Sequence, residues 1–441
     1  MGLADIVNLQ ISASSAAPTQ EGFGTPMVVG YHTRWGTVNG ERSRSYTSLA
    51  GLVADGFVAT DAIYRAVQTI LSQNPRVERV KVGRRALAFT QVVELTPAAP
   101  AAGKVYTVTV GGLVATFTVT AESLAATCTA IAAAITALAV GVTASGASGT
   151  KVVCTTTAMG VVKSYEAMSS TLTLFDASTD PGIATDLAAI NGADSDWYGL
   201  VLDNNSKAEG LAAAAWAEAN GKLFVAQSAD SACKDSLSTT DVIASMKTSA
   251  YARSGAVFHP SIGTLTSWLA AGLLADRLPD TPGSDTWAYK TVSGVDAYAL
   301  TDTERTNLLA KNATIYTVIS GIACTEGGKV AAGEWFDVVR GLDWMKARIR
   351  ERIFGVLIAA KKVPFTDPGI SLLAGEVRAQ LRTAITVGLL TDDPAPVVTQ
   401  PKASAISAVN RQARKLTPGI EFNARLAGAI HTLDVTGTVT N

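Results

Sequence analysis

The stretch WYGLVLDNNSKAEGLAAAAWAEANGKLFVA, residues 197–226, predicts a strand, a helix and a second strand. Its ends, 197–202 and 222–226, are short and mainly apolar runs, and the Ala-rich segment at 211–219 between them has a helical composition. Strands that alternate with helices of this length are typical of β-α-β units, whose strands lie parallel. This stretch therefore predicts a largely parallel α/β sheet.

The same alternation continues on both sides of this stretch. Upstream, a buried strand at 27–31, an amphipathic helix at 60–72 and a strand at 77–82 are expected from the apolar patterning. Downstream, a helix at 242–251 precedes a strand at 256–258. The sheet is therefore expected to draw its strands from two separate parts of the chain.

Between these two parts the composition changes to Thr and Val, over residues 88–178. Two alternating runs, 104–110 and 113–120, flank Gly111 and Gly112, and a two-residue glycine loop is a strong hairpin signal. One Ala-rich helix and two further strands are expected at 124–138, 151–156 and 171–175. We interpret this region as a small β-rich (α+β) domain inserted into a surface loop, where long insertions are tolerated.

The C-terminal region predicts two long helices, because apolar residues recur at steps of three and four over 335–356 and again over 370–385. Both chain ends carry an alternating run with no neighbouring strand to pair with. The first run is Ile6, Val7, Asn8, Leu9, Gln10 and Ile11, and the last contains Ile430, Leu433, Val435 and Val439. We expect both runs to be strand-forming arms that pair outside their own chain.

The sequence therefore predicts a multidomain α/β protein with terminal arms. The expected parts are an N-terminal arm (1–22), a discontinuous α/β domain (23–87 and 179–327), the inserted β-rich domain (88–178), a helical α+β C-terminal domain (328–429) and a C-terminal arm (430–441).

Charge is low overall but unevenly distributed. The net charge is −1, yet residues 165–241 hold twelve acidic side chains against three lysines, whereas 334–362 and 402–425 are net basic. These regions are either solvated faces, or a basic face that meets an acidic partner or the acidic face of another copy. Nucleic acid is not expected as a partner, because aromatic residues are not interleaved with the basic ones. No apolar run approaches the length of a membrane helix, so membrane insertion is not expected.

The usual catalytic and metal-binding patterns are missing from the sequence. The three histidines are isolated, the four cysteines form no close pair, and no glycine-rich phosphate loop or dinucleotide fingerprint occurs. Ser231 and Lys234 have the S-x-x-K spacing without its companion motifs, and the acidic residues fit no EF-hand loop. We therefore expect no catalytic residue, no cofactor and no metal site.

Three stretches carry a resemblance to a known family. They are IVNLQI (6–11) followed by PTQEGFGTP (18–26), WAYKTVSGV (287–295) leading into LTDTE (300–304), and GEWFDVVRG (333–341). In this order they resemble the tail sheath subunit of contractile-tailed bacteriophages, and the likeness covers essentially the whole chain.

The resemblance implies a structural role in a virion. Sheath subunits stack as six-fold rings in a helical assembly around a tail tube, and their arms add strands to the C-terminal domains of neighbours. The sheath contracts after a trigger at the baseplate and drives the tube through the host envelope. The implied partners are further copies of the chain, the tube protein, and the baseplate and tail terminator proteins, with assembly in the host cytoplasm.

Charge alone suggests which surface faces the tube. The basic side chains of the first C-terminal helix, Arg340, Lys346, Arg350 and Lys361, form the candidate tube-facing surface. Two alternatives to the sheath interpretation stay open at this stage. They are an α/β enzyme of unknown substrate and another self-assembling shell or tube protein.

Overall fold

A computed structural model describes residues 22–437 of the chain except a few short segments. Those segments are 33, 36–40, 86–89, 120–122, 159–162, 168–169, 178–179, 262–263 and 265. The chain divides into two compact units. Of the described residues, the α/β unit comprises those within 24–280 and 287–336, and the C-terminal unit comprises 22–23, 281–286 and 337–437.

The α/β unit holds most of the described helices and strands. Before the inserted region these are β1 (Pro26–Gly30), β2 (Ser43–Tyr46), α1 (Leu49–Ala54), α2 (Ala62–Leu71) and β3 (Val80–Arg84). The inserted region holds β4 (Val92–Pro97), β5 (Val105–Val110), β6 (Leu113–Thr118), α3 (Leu124–Ala137), β7 (Val142–Ser145), β8 (Val152–Thr156), β9 (Tyr165–Ala167) and β10 (Leu172–Asp176). After it come α4 (Ile183–Ala193), β11 (Gly199–Leu202), α5 (Lys207–Asn220), β12 (Leu223–Ser228), α6 (Val242–Thr248), β13 (Ser254–Phe258), α7 (Leu269–Arg277), α8 (Asp302–Ala310), β14 (Ile315–Ile319) and β15 (Ile322–Glu326).

The central sheet has the strand order β13-β12-β11-β1-β3-β2. Its strands run parallel except β2, which pairs antiparallel with β3. Successive side chains of a strand point to opposite faces. Leu200 accordingly joins the core formed with α4 and α5, whereas a Cβ at the preceding Gly199 would meet Leu274 and Leu278, the residues of α7 and its C-cap. Helices therefore cover both faces of a mostly parallel sheet, as the sequence predicts.

The inserted region is a separate small module with its own core. Its two sheets have the orders β10-β4-β8-β7 and β6-β5-β9, and α3 packs on them. The core residues, among them Leu95, Tyr106, Ile131 and Cys154, form a cluster that shares no residue with the core of the central sheet. The predicted hairpin is present, with Val110 opposite Leu113 and both intervening glycines at positive φ. The first and last strands of the module are antiparallel neighbours, so its two ends leave it at the same edge.

The C-terminal unit contains the two predicted long helices. Its elements are α9 (Phe336–Ala359, whose first residue belongs to the α/β unit), α10 (Asp367–Thr386), β16 (Val397–Thr399), α11 (Ala408–Gln412) and β17 (Glu421–Asn423). Thr366 caps α10 by accepting a hydrogen bond from the Gly369 backbone N–H. One apolar stripe of α10 is buried, with Ile370, Val377 and Leu381 in the core, as the periodicity predicts.

The unit boundary differs from the one expected at 328. Residues 328–336 stay with the α/β unit because Phe336 stacks on Trp287, with ring centroids 4.4 Å apart, and both side chains are fully buried. The ring of Phe336 also fills the space above Gly255, where a Cβ would come within 2.4 Å of it. Segment 281–286, in contrast, belongs to the C-terminal unit.

Candidate assembly surfaces

One side of α9 carries basic and large apolar side chains together on the surface. The exposed residues on this side are Leu342, Lys346, Arg350, Phe354, Leu357, Ile358 and Lys361, the last just beyond the helix end, and we call this set the α9 face. At about 100° of rotation per residue, these positions fall within one half of the helix circumference. Three of the four basic residues singled out in the sequence therefore lie together on an exposed face.

Among the described residues, the apolar part of the α9 face is about half exposed. Val338, Trp344 and Met345 in the first half of the helix are buried, whereas Phe354 and Leu357 near its end are 55% and 51% exposed. Burial of such side chains is worth about 25 cal/mol per Å² of apolar surface removed from water, so their exposure is unfavourable for an isolated chain. Adjacent exposed apolar side chains rimmed by charge are typical of a surface that another protein covers.

Arg340 is not part of this face, which corrects the prediction made from charge. Its side chain is 1% exposed. One guanidinium nitrogen donates to the carbonyl oxygen of Phe23 at 3.4 Å, and another lies 3.8 Å from the Asp285 carboxylate. The reason is that segment 281–286 packs in the same unit as the start of α9. A charge count along the sequence cannot show this packing, since Asp285 is far from Arg340 in the chain.

The other basic residues of α9 divide in the same way. Arg348 pairs with Glu351 on its own helix, and Arg352 binds Glu376 and Gln380 of α10. No described carboxylate forms an ion pair with Lys346, Arg350 or Lys361. These three cations are therefore available to a partner, whereas the pairs of Arg352 hold the two helices together.

The C-terminal segment of this unit is largely exposed, although His431 Nε2 lies 2.9 Å from the Thr286 hydroxyl of the same unit. Leu426 forms a β-bridge with Leu390, and the Ala427 N–H donates to the carbonyl oxygen of Leu389 at 3.0 Å. Beyond this anchor, residues 427–437 form no strand. The side chains of Ile430, Leu433 and Val435 are 88%, 78% and 82% exposed, respectively. The predicted arm residue Val439 and the N-terminal run Ile6–Ile11 lie outside the described residues.

The same unit presents a short ribbon of two strands, and no other described strand pairs with either of its outer edges. β16 and β17 pair antiparallel over three residues each, with Val397 opposite Asn423. Val397 and Phe422 are exposed. The ribbon is held to α10 through Gln400, which donates to the Ser371 hydroxyl at 2.6 Å. A ribbon of this size is marginal alone, and its outer strand edges present backbone groups that a further strand can pair with.

The residues considered for catalysis occupy structural positions. His259 is buried, with its two ring nitrogens 3.0 and 3.1 Å from the carbonyl oxygens of Ser261 and Asp296. Lys234 of the S-x-x-K sequence forms an ion pair with Glu304 at 2.6 Å. Among the described residues, no group of three or more His, Cys, Asp or Glu side chains is arranged to hold a metal ion. Within the same residues, no helix is long and apolar enough to cross a membrane.

Comparison with known proteins identifies the fold. A family model described as the C-terminal domain of E217 tail sheath protein gp31-like proteins matches residues 336–393, which include α9 and α10. A chain in the solved structure of the anti-feeding prophage baseplate has a TM-score of 0.58 at 10% sequence identity, with 98% of each chain covered. The resemblance to contractile tail sheath proteins is confirmed. The chain has the fold of contractile tail sheath proteins, and its two long C-terminal helices match the C-terminal domain of a tail sheath family.

Two further solved structures support the sheath fold. The helical sheath of the anti-feeding prophage in its contracted state has a TM-score of 0.56 at 10% identity, with 98% of each chain covered. The sheath of the PVC extracellular contractile injection system, also contracted, has a TM-score of 0.55 at 9% identity, with 98% of this chain and 96% of that chain covered. At this level of identity the likeness concerns the fold. No curated protein matches the sequence.

Proposed function

We propose that this chain polymerises as six-fold rings, stacked helically around a tail tube, and contracts to drive the tube through a host envelope. This proposal rests on two features that occur together in the C-terminal unit. An exposed apolar chain end and an open-edged ribbon are complementary when they come from different copies. Contacts of this kind between different surfaces of identical subunits generate rings and helical assemblies.

The ribbon of β16 and β17 is the proposed receptor for a neighbour's arm. An added strand would satisfy the backbone groups of the ribbon edge and cover Val397 and Phe422 with the side chains of Leu433 and Val435. At about 3.3 Å per residue, the arm is long enough to run past the whole ribbon. The N-terminal run Ile6–Ile11 is proposed to pair in the same way with the C-terminal domain of another copy.

The α9 face is the proposed contact with the tail tube. Lys346, Arg350 and Lys361 would meet carboxylates of the tube protein, and Phe354 and Leu357 would be covered in the same interface. This set replaces the one derived from charge, because Arg340 is buried. The mixture of cations and apolar side chains calls for a tube surface that is acidic with apolar patches.

The remaining parts of the proposal concern location and further partners. The chain is proposed to belong to a phage tail or to a phage-derived contractile particle, assembled in the host cytoplasm and joined to baseplate and tail terminator proteins. The division into an α/β domain, an inserted domain, a C-terminal domain and two arms belongs to the same proposal. A baseplate structure among the similar ones supports an association of this kind.

The experiment that tests the function compares polymer formation by variants of the purified chain. Deletion of 430–441, or Val397→Asp in the ribbon, is expected to leave a folded monomer that forms no tubes in negative-stain images. Val409→Asp is the matched control, because Val409 is also exposed (74%, against 62% for Val397) in the same unit but lies on α11, outside the ribbon. Long tubes formed by the deletion variant would overturn the proposed strand exchange.

A further inference from the structure

A buried charge cluster lies where the strands of the central sheet end. Arg85 follows β3 directly, at the edge where β1 and β11 also terminate, and its side chain is 1% exposed. Its guanidinium binds three carboxylates. The partners are Asp180 at 3.0 Å, Asp186 at 3.1 Å and Glu209, and the ring of Tyr31 stacks against it with the guanidinium carbon 4.0 Å from the ring centroid.

The three carboxylates come from three different parts of the α/β unit. Asp186 lies in the first turn of α4, Glu209 lies in the first turn of α5, and Asp180 lies in the segment that returns from the inserted module. A buried guanidinium costs several kcal/mol unless it is paired well, so its position is fixed by these partners. Arg85 therefore connects the end of β3 with two helices and with the segment that returns from the module.

Arg85 and Asp180 stand at the two ends of the inserted module. The first strand of the module, β4, begins at Val92, seven residues after Arg85, and its last strand, β10, ends at Asp176, four residues before Asp180. The Tyr31 hydroxyl, beyond the end of β1, also donates to the Asp180 carboxylate. Because the module has its own core, we expect its orientation on the sheet to depend on the contacts of Asp180 with Arg85 and Tyr31.

We propose that Arg85 fixes the orientation of the inserted module. Its guanidinium binds Asp180 at the carboxyl ends of the central strands, and this bond makes the module and the central sheet move as one body. The role is that of a positioning residue. A merely stabilising role at the sheet edge would not distinguish Asp180 from Glu209, since both are partners of the same guanidinium. The proposal does distinguish them, because Asp180 alone belongs to the returning segment.

The test measures the distance between module and sheet in the full chain. Spin labels are placed through Thr129→Cys on α3 and Ala219→Cys on α5, both at exposed positions. The four native cysteines are buried, so the introduced thiols react selectively. Pulsed electron resonance then gives the distribution of distances between the two labels.

A single narrow distance peak is expected for the labelled parent chain and for Glu209→Gln. Asp180→Asn and Arg85→Met are expected to lose this peak and give a broad distribution, while the circular dichroism of the folded chain is kept. If Arg85→Met fails to fold, Asp180→Asn still decides, because it leaves the bonds of Arg85 to Asp186 and Glu209 in place. A narrow peak in Asp180→Asn, or equal broadening in Glu209→Gln, overturns the proposal.

Discussion

Arginine side chains occupy different environments in the two halves of α9. In the first half, Arg340 is enclosed by segment 281–286 and Phe23, and it contributes to the stability of its own unit. In the second half, Arg350 lies beside exposed Phe354 and Leu357 and forms no ion pair with any described carboxylate. Both halves contain basic residues among apolar ones. The local sequence pattern therefore defines the helix. Its neighbours in the fold determine whether a cation stabilises the monomer or remains exposed for a partner to bind.

The largest expected effect is the loss of the buried cation. Arg340→Met should destabilise the chain by about 3 kcal/mol, because the buried Asp285 carboxylate loses the guanidinium that lies 3.8 Å from it. Arg350→Met is the control and should change the free energy of unfolding by less than about 0.5 kcal/mol, as surface substitutions usually do. Urea denaturation of both variants measures the difference. Equal stabilities would remove the distinction between the two halves of α9.

A smaller effect is expected on assembly. The double variant Lys346→Glu and Arg350→Glu should weaken association with the purified tube protein about tenfold at low salt, with the difference shrinking as salt rises. Polymerisation of the chain with itself should persist, because the arms are unchanged. The control is the double reversal Lys402→Glu and Lys415→Glu, which changes the net charge equally in the same unit but away from α9. Cosedimentation with tubes measures the outcome, and equal losses in both variants would assign the effect to net charge alone.

The last expected effect concerns the carboxyl group of Asp203, whose pKa depends on both Glu209 and Arg85. Shielding from solvent and the neighbouring Glu209 raise the pKa of Asp203 to about 7, and Arg85 and Asn204 oppose this shift. Its carboxyl lies so close to Gly30 that a Cβ at residue 30 would come within 1.9 Å of Oδ2. Like Arg340, Asp203 is therefore an ionisable residue whose surroundings depend on which residues the fold brings next to it.

The sign of the resulting pH dependence follows from the proton count. Between about pH 4 and pH 7 the folded chain keeps a proton on Asp203 that the unfolded chain releases, so this residue lowers the stability as pH rises through that window. The slope is at most about 1.4 kcal/mol per pH unit, and less because the residue is partly exposed. Asp203→Asn should remove this contribution. Denaturation midpoints measured across the window would contradict the assignment if the slope were unchanged.

Much of the fold could be predicted from local patterns. The strand, helix and strand around residues 197–226, the glycine hairpin of the inserted module and the buried stripe of α10 depend on neighbours in sequence, and all three are present. β2 was not predicted, because its sequence Ser-Arg-Ser-Tyr lacks apolar alternation. It forms a strand because it pairs with β3 at the edge of the sheet.

The candidate surfaces were predictable only in part. Exposure of Lys346, Arg350 and Lys361 agrees with the charge pattern, whereas the exposed apolar side chains of Phe354, Leu357 and Ile358 beside them were not predicted. The Arg85 cluster carries no local signal, since its carboxylates lie 95, 101 and 124 residues further along the chain. Charged groups that meet only after folding cannot be recognised from spacing.

Periodicity, turn chemistry and local composition suffice to predict the alternation of strands and helices and the glycine hairpin of the inserted module. Which cations are buried depends instead on contacts that form only when the chain folds. Segments distant in the chain exclude solvent from Arg85 and Arg340, so each of these side chains is paired where it lies. The side chains at the end of α9 remain exposed. The physical reason is that desolvation depends on every neighbour in space, and a pattern along the chain reports only the nearest ones.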